Sequence, residues 1–344
     1  MDVDLLTVTW SLPVATGALV ASALVIMAAG SVLAGVADRV ADRTGLGEAI
    51  TGALLLGAAT SLPGLIVSGV AASAGEPSLA VSNSVGGIAV QTAFVVALDV
   101  AYGRPNIEHA AASLTNLFNS LLMMTLLGVV LVGVAAPPVT LWEVHPATFL
   151  LVVVYVYGLR VGRRVAATPM WEPEETRDTD LDVPDEPEDG ETGRGLVVRF
   201  AVLTLVVGVA GWGVGRAGIS IVAATGLSGS VVAVLLTSVA TSLPELVTGV
   251  AAVRRGAPTL AVGGIIGGNT FDTLFIAVSD TAYREGSIYA ETVPQDLFAI
   301  GWAMLLTGIL GAGLLRRERR GIGFEGIAIL VLYLGGVLVL PRIT

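Results

Sequence analysis

The chain has no cysteine and no lysine, and it holds only two histidines, His109 and His145. No disulfide and no thiolate metal site is possible. Two imidazoles near expected loops give no basis for zinc or haem chemistry. Charge is scarce as well: 13% of the 344 residues are Asp, Glu, Lys or Arg, where a soluble domain has about 25%. No nucleophile–base pair, phosphate loop or cofactor motif occurs, so an enzyme is not expected, and neither a cofactor nor a nucleic-acid partner is implied.

Apolar sequence fills the space that charge leaves. The chain is 54% hydrophobic, with a mean hydropathy of +0.83. Eleven of its 28 acids fall between Glu172 and Glu191. The rest reads as runs of about 20 apolar residues, the length that crosses a bilayer. Ten such spans are expected: 13–36, 46–72, 79–101, 112–135, 146–163, 196–215, 227–253, 260–281, 293–314 and 322–341. The acidic N-terminus, Met-Asp-Val-Asp, lacks the basic region of a cleavable signal, so the first run reads as a retained span. The acidic stretch 166–194 is rich in proline, reads as a solvated linker and lacks the spaced acids of an EF-hand. It separates residues 1–165 from 195–344.

With ten spans, the arginines divide 15 to 3 between the two sides of the membrane; Arg216, Arg284 and Arg342 form the minority. Positive charge collects on the cytoplasmic side. The linker is therefore expected in the cytoplasm and both termini outside a cell membrane.

A shift of 181 residues lays Thr44–Ile107 on Thr225–Ile288 without a gap, with 25 of 64 positions identical. Composition alone would give about six. Ala59-Thr-Ser-Leu-Pro63 pairs with Ala240-Thr-Ser-Leu-Pro244, Gly86-Gly87 with Gly267-Gly268, and Asp99 with Asp280. Five spans per half force the second copy to enter the membrane upside down. The expected fold is thus all-α, with ten transmembrane helices in two inverted five-helix repeats. Many secondary transporters have this plan, with the substrate site at the midplane between the halves.

Pro63 and Pro244 lie inside spans, where proline removes a hydrogen bond and clashes with the carbonyl four residues back. Each helix is expected to kink there, beside the hydroxyls of Thr60, Ser61, Thr241 and Ser242. Carbonyls, hydroxyls and carboxylates are hard ligands suited to Na⁺, Ca²⁺ or Mg²⁺. Glu245 follows the second proline, and a carboxylate inside a span is a functional candidate by default. Thr241 and Glu245 share a helix face, as do Asn269 and Asp272. Glu245, Asn269 and Asp272 are therefore expected to converge on one ion. Asp99 and Asp280, at span ends, read as solvated at the interface. Glu48 reads as a surface residue or a gate.

These motifs resemble those of the calcium/cation antiporter superfamily, the family of sodium/calcium exchangers. The resemblance implies a metal site of Thr241, Ser242, Glu245 and Asn269, with Asp272 added by likeness to the potassium-dependent branch and with Thr60, Ser61 and Ser84 from the first repeat. It implies exchange of Na⁺ for Ca²⁺ or another cation by alternating access. The first repeat departs from the family pattern: Gly64, Ile88 and Gln91 stand where Glu, Asn and Asn or Asp are expected. An exchanger of H⁺ or of a monovalent cation such as K⁺, or a non-transporting membrane subunit, are the alternatives that this departure motivates.

Overall fold

The computed structural model describes residues 9–44, 53–103, 106–111, 113–169, 193–316 and 322–344. Glu48 and the acidic stretch Glu172–Glu191 lie outside the described residues. The described residues fold as helices joined by short turns. In order these are α1 (Leu12–Thr44), α2 (Ala53–Ser73), α3 (Pro77–Tyr102), α4 (Ile107–Ala110), α5 (Leu114–Ala135), α6 (Pro146–Ala167) and α7 (Gly193–Thr225). Then come α8 (Gly229–Val232), a π-helical segment (Ala233–Thr237), α9 (Ser238–Thr241), α10 (Leu243–Arg254), α11 (Pro258–Asp272), α12 (Leu274–Ala282), α13 (Pro294–Arg316) and α14 (Phe324–Val339).

Seven helical stretches are long and apolar enough to cross a bilayer, and the bent pair α8–α10 makes an eighth. The chain is a multi-pass membrane protein. Its outward faces carry the side chains that lipid covers, among them Leu205, Val209, Val153, Val331 and Leu338, each exposed by more than half. Burial separates the helices into two classes. In their apolar windows α3 is 72% buried and α11–α12 67%, against 22% for α7 and 28% for α14. The former, joined by α2 and α9–α10, form the centre, and α7 and α14 face outward.

The 181-residue relation recurs in the backbone. Gly75 and Gly256 both take positive φ, +78° and +85°. The next residue then donates back across six positions, Glu76 N–H to Ala71 O at 2.9 Å and Ala257 N–H to Ala252 O at 3.0 Å. This is the Schellman closure of a helix, which glycine permits without strain. Pro77 and Pro258 start the next helix in each half, at the position where a missing N–H costs nothing. The relation also reaches beyond the aligned segment. A Cβ on Gly30 of α1 would lie 2.6 Å from Pro244 Cγ, and one on Gly211 of α7 would lie 2.9 Å from Pro63 O. Each of these helices thus crosses the Thr-Ser-Leu-Pro turn of the other half at a glycine.

Two expectations need correction. Asp99 and Asp280 are buried, not solvated. Asp99 Oδ1 accepts the N–H of Ile107 at 2.7 Å, and Asp280 Oδ1 that of Ile288 at 3.1 Å. Each carboxylate ties down the turn eight residues on. Asp280 Oδ2 also accepts from His145 N–H at 2.8 Å and the Thr148 hydroxyl at 2.7 Å, and His145 Nδ1 caps α6 by accepting from Ala147 N–H.

The prolines also act unequally. The α8–α10 span bends by 44°, breaking at Ser242, whereas α2 runs unbroken through Pro63. The second half has hydroxyls that serve loosened carbonyls: Ser238 Oγ donates to Val234 O at 2.9 Å and Thr241 Oγ1 to Thr237 O at 3.0 Å. The positions 181 residues earlier than Thr237 and Ser238 are Leu56 and Gly57, which have no hydroxyl to give.

Beside the centre, α4 carries Glu108, which is buried near the carboxylates of Asp99 on α3 and Glu325 on α14. Burial pushes its carboxyl from 4.5 to about 8, and the Glu325 and Asp99 carboxylates push the same way. Between pH 4.5 and about 8 the folded protein therefore holds a proton that the unfolded chain has lost. This group's contribution to stability falls as pH rises across that window. Glu108→Gln should accordingly raise the thermal midpoint in detergent at pH 8 by about 2–4 °C and converge on the wild type towards pH 4.5. An equal gain at both pH values would mean that the proton is not the cause.

Candidate cation site

Two helix breaks bring polar groups to the middle of the central helices. The span α8–α10 breaks at Ser242, three residues before Glu245. The span α11–α12 breaks after Asp272, where Thr273 interrupts the helix. Between them lies a small cavity lined largely by polar groups. Helices α2 and α3 contribute Ser61, Gly64, Asn83, Gly87 and Gln91 to its walls. Helices α9 to α12 and the break at Ser242 contribute Thr241, Ser242, Glu245, Asp272 and Phe275. Three of these pairs stand 181 residues apart: Ser61 and Ser242, Gly64 and Glu245, Gln91 and Asp272. One such pair touches directly. Gln91 Nε2 donates to Asp272 Oδ2 at 2.9 Å and lies 3.2 Å from Ser242 Oγ.

The carboxylates are poorly satisfied by protein. Glu245 is 5% exposed and Asp272 1%. Neither Glu245 oxygen, nor Asp272 Oδ1, has a hydrogen-bond partner among the described residues. Thr60 lies beside the Glu245 carboxyl. A buried charge without a partner is costly, so two of them on one cavity point to a cationic occupant. Among the described residues no three His, Asp or Glu side chains converge on a metal position. A cation here must complete its shell with hydroxyl, amide and carbonyl oxygens, as hard ions do.

The expected residues divide into groups. Glu245, Asp272, Thr241, Ser242 and Ser61 line the cavity. Thr60 adjoins Glu245, while its hydroxyl also reaches Gly57 O at 3.2 Å. Asn269 is outside the lining: its Nδ2 donates to Thr92 Oγ1 at 3.1 Å. Ser84 is outside it too, and its hydroxyl donates to the main-chain oxygen of Asp272 at 2.6 Å. The break after Asp272 frees that carbonyl, and Ser84 satisfies it. Ser84→Ala should therefore act through Asp272's backbone and cost about 1 kcal/mol of stability, the net worth of a buried hydrogen bond. Thermal unfolding in detergent, with and without cation, checks this; a loss of binding with no loss of stability would make Ser84 a ligand instead.

Five lining residues lay outside the expected set: Gly64, Asn83, Gly87, Gln91 and Phe275. Asn83 donates to Gly64 O at 3.1 Å and to Ser68 Oγ at 3.0 Å, and accepts from the Thr237 hydroxyl at 2.7 Å. A signal for it was present: Asn83, Gly87 and Gln91 repeat every four residues, which puts them on one helix face. Phe275 is one of the identical positions of the repeat, paired with Phe94, but that pairing alone does not place it on a cavity.

The model for the sodium/calcium exchanger protein family matches residues 14–160 and 195–340. The chain belongs to the sodium/calcium exchanger family. This chain is 33% identical over 113 residues to CaxA of Alkalimonas amylolytica, an antiporter by name. That match covers 32% of this chain and spans about a third, 34%, of CaxA. Among solved structures, the H⁺/Ca²⁺ exchanger CAX superposes with a TM-score of 0.67 at 13% identity, over 95% of this chain and 85% of CAX. The sodium–calcium exchanger NCX_Mj superposes at 0.59 with 18% identity, over 95% of this chain and 98% of its own. At these identities the likeness is one of fold. The family consists of transporters rather than enzymes, in line with the sequence reading, and cations are its substrates.

Proposed function

We propose that this exchanger is a secondary active antiporter in a cell membrane, exporting Ca²⁺ in exchange for Na⁺ by alternating access. The observation that carries the reading is the pair of buried, incompletely bonded carboxylates, Glu245 and Asp272, on one polar cavity between the two halves. The family pattern leaves one glutamate, Glu245, and Asp272, expected from the sequence to join it, supplies the second charge. Two carboxylates neutralise Ca²⁺ or two Na⁺ in the same place, which is what exchange through one site requires. Oxygen ligands from Ser61, Ser242 and Gln91 suit both ions. Asn269 and Ser84, in this reading, support the site from outside its lining.

In the proposed architecture ten spans form two inverted five-helix repeats, residues 1–165 and 195–344, joined by a cytoplasmic linker, 166–194, with both termini outside. The mirrored turns at Gly75 and Gly256, and the reciprocal crossings at Gly30 and Gly211, support that symmetry. Alternating access follows from rocking one repeat against the other around a site that both share.

The same carboxylate pair favours a second reading, in which H⁺ replaces Na⁺ as the coupling ion. Purified protein in proteoliposomes distinguishes the two. An outward Na⁺ gradient at equal pH should drive uptake of labelled Ca²⁺. Uptake driven by a pH gradient without Na⁺ would favour the second reading, and uptake driven by neither would remove antiport of Ca²⁺ altogether.

A further inference from the structure

Gly64 and Glu245 occupy equivalent places in the two halves, 181 residues apart, and both line the cavity. A side chain at 64 would therefore enter the cavity opposite Glu245. The space it would take is already filled. A Cβ built on Gly64 would lie 2.7 Å from Phe275 Cε2, 3.3 Å from Cζ and 3.6 Å from Cδ2. Contacts below 3 Å are not sustained by real Cβ atoms, so glycine at 64 and the ring at 275 are mutually required.

The ring is not free to give way. Phe275 is 3% exposed. Its edge meets Phe271 at 6.1 Å between centroids, and Phe271 in turn meets Tyr155 at 6.3 Å, both in edge-to-face geometry. Three packed aromatics resist a rotamer change, because interiors at this density have few voids to rotate into. The Gly64 main chain is fixed as well, by the amide of Asn83 on its carbonyl.

We propose that Phe275 is a specificity-determining residue: its ring, seated over Gly64, closes the side of the cation site opposite Glu245 and limits the size of the cation that fits. This rests on the reading that the cavity holds a cation, and it adds which residue bounds that cation. All the anionic charge and the aromatic wall then come from the second half, and the first half supplies amide and hydroxyl groups and the glycine that the ring covers. A wall of fixed position selects among ions of equal charge by radius, since a larger ion cannot keep its carboxylate contacts while clearing the ring.

Equilibrium binding of labelled Ca²⁺ to the purified full chain in detergent, competed by unlabelled Mg²⁺, Ca²⁺ and Ba²⁺, tests this. Phe275→Ala should raise the affinity for Ba²⁺ relative to Ca²⁺ about tenfold, with Mg²⁺ shifted the other way. Gly64→Ala should weaken binding of all three and lower the thermal midpoint. Gly64→Ala combined with Phe275→Ala should recover both losses, a non-additivity expected only of residues in contact. The thermal midpoint is read without cation, so the contact is tested even where a variant binds nothing. Equal shifts for every ion in Phe275→Ala, or additive effects in the double variant, would overturn the proposal while leaving a cation site in place. Absence of binding by the wild type to any of the ions would overturn the site reading, and this proposal with it.

Discussion

Glu245→Gln should reduce gradient-driven Ca²⁺ uptake into proteoliposomes about 10²–10³-fold. Its carboxylate is buried, with only the Thr60 hydroxyl beside it, so in the proposed reading the main interaction lost is that with the cation. Removing one partner of a buried ion pair costs about 3–5 kcal/mol, and each 1.4 kcal/mol is about tenfold in affinity. The substitution keeps the volume and removes only the charge. Asp272→Asn should fall in the same direction by less, because Gln91 still has an oxygen acceptor at 2.9 Å to engage. Calorimetric titration with Ca²⁺ separates binding from turnover. If Glu245→Gln binds and carries Ca²⁺ as the wild type does, the ion is held elsewhere, and the cavity between Ser242 and Gln91 is not the site.

That prediction draws on residues the sequence displayed openly. Glu245 and Asp272 are acids inside apolar runs, and their expense in a membrane marks them without any structure. The helical class, the apolar lengths and the 181-residue relation were equally legible, because hydropathy and periodicity are local properties. The site's detail was not. A face argument gives a shared side of a helix, not the surroundings of each group on it. It grouped Asn269 with Asp272, three residues apart on α11; Asp272 lines the cavity, while Asn269 donates to Thr92 and keeps a buried Oδ1 with no partner among the described residues. Ser84 was grouped with the ligands by its place in a motif, yet its hydroxyl serves the carbonyl that the break after Asp272 releases. Phe275 repeats Phe94 in the sequence, but its place at the site was hidden because it depends on which glycine it faces.

The unequal halves have one structural root. The second half breaks both of its central spans at the cavity, and the first half breaks neither. Hydroxyls at Thr237, Ser238 and Thr241 permit the loosened turn before Ser242. Leu56 and Gly57 offer none at the equivalent places. The first half is a continuous wall with an amide face, Asn83 and Gln91, and the second half is an opened backbone that carries the charge. Chemistry and backbone irregularity have moved together, as expected where broken helices line an ion path.

Gly211→Val and Gly30→Val should each abolish transport and lower the thermal midpoint, while Gly17→Val and Gly35→Val, in the same helix as Gly30, should do neither. A Cβ at Gly211 would meet Pro63 O at 2.9 Å and Pro63 Cα at 3.0 Å, both backbone atoms. Nothing flexible can give way there. A Cβ at Gly30 would meet the Pro244 ring at 2.6 Å, and a proline ring has little freedom to move. Gly17 and Gly35 have no neighbouring atom within 4 Å of such a Cβ, so the same added volume faces open space. Overpacking costs about 1–3 kcal/mol where the surroundings adjust, and a contact on main chain lies at the upper end. The two crossings also touch the turns that shape the cavity, Pro63 two residues after Ser61 and Pro244 one before Glu245. Separating α1 or α7 from them therefore displaces the ligands as well as the helices. Fluorescence-detected size exclusion with heating gives the midpoint, and Ca²⁺ uptake gives the activity. Stable, active Gly211→Val protein would mean that α7 does not lie against the Pro63 turn, and the reciprocal crossing would lose its force as support for paired halves.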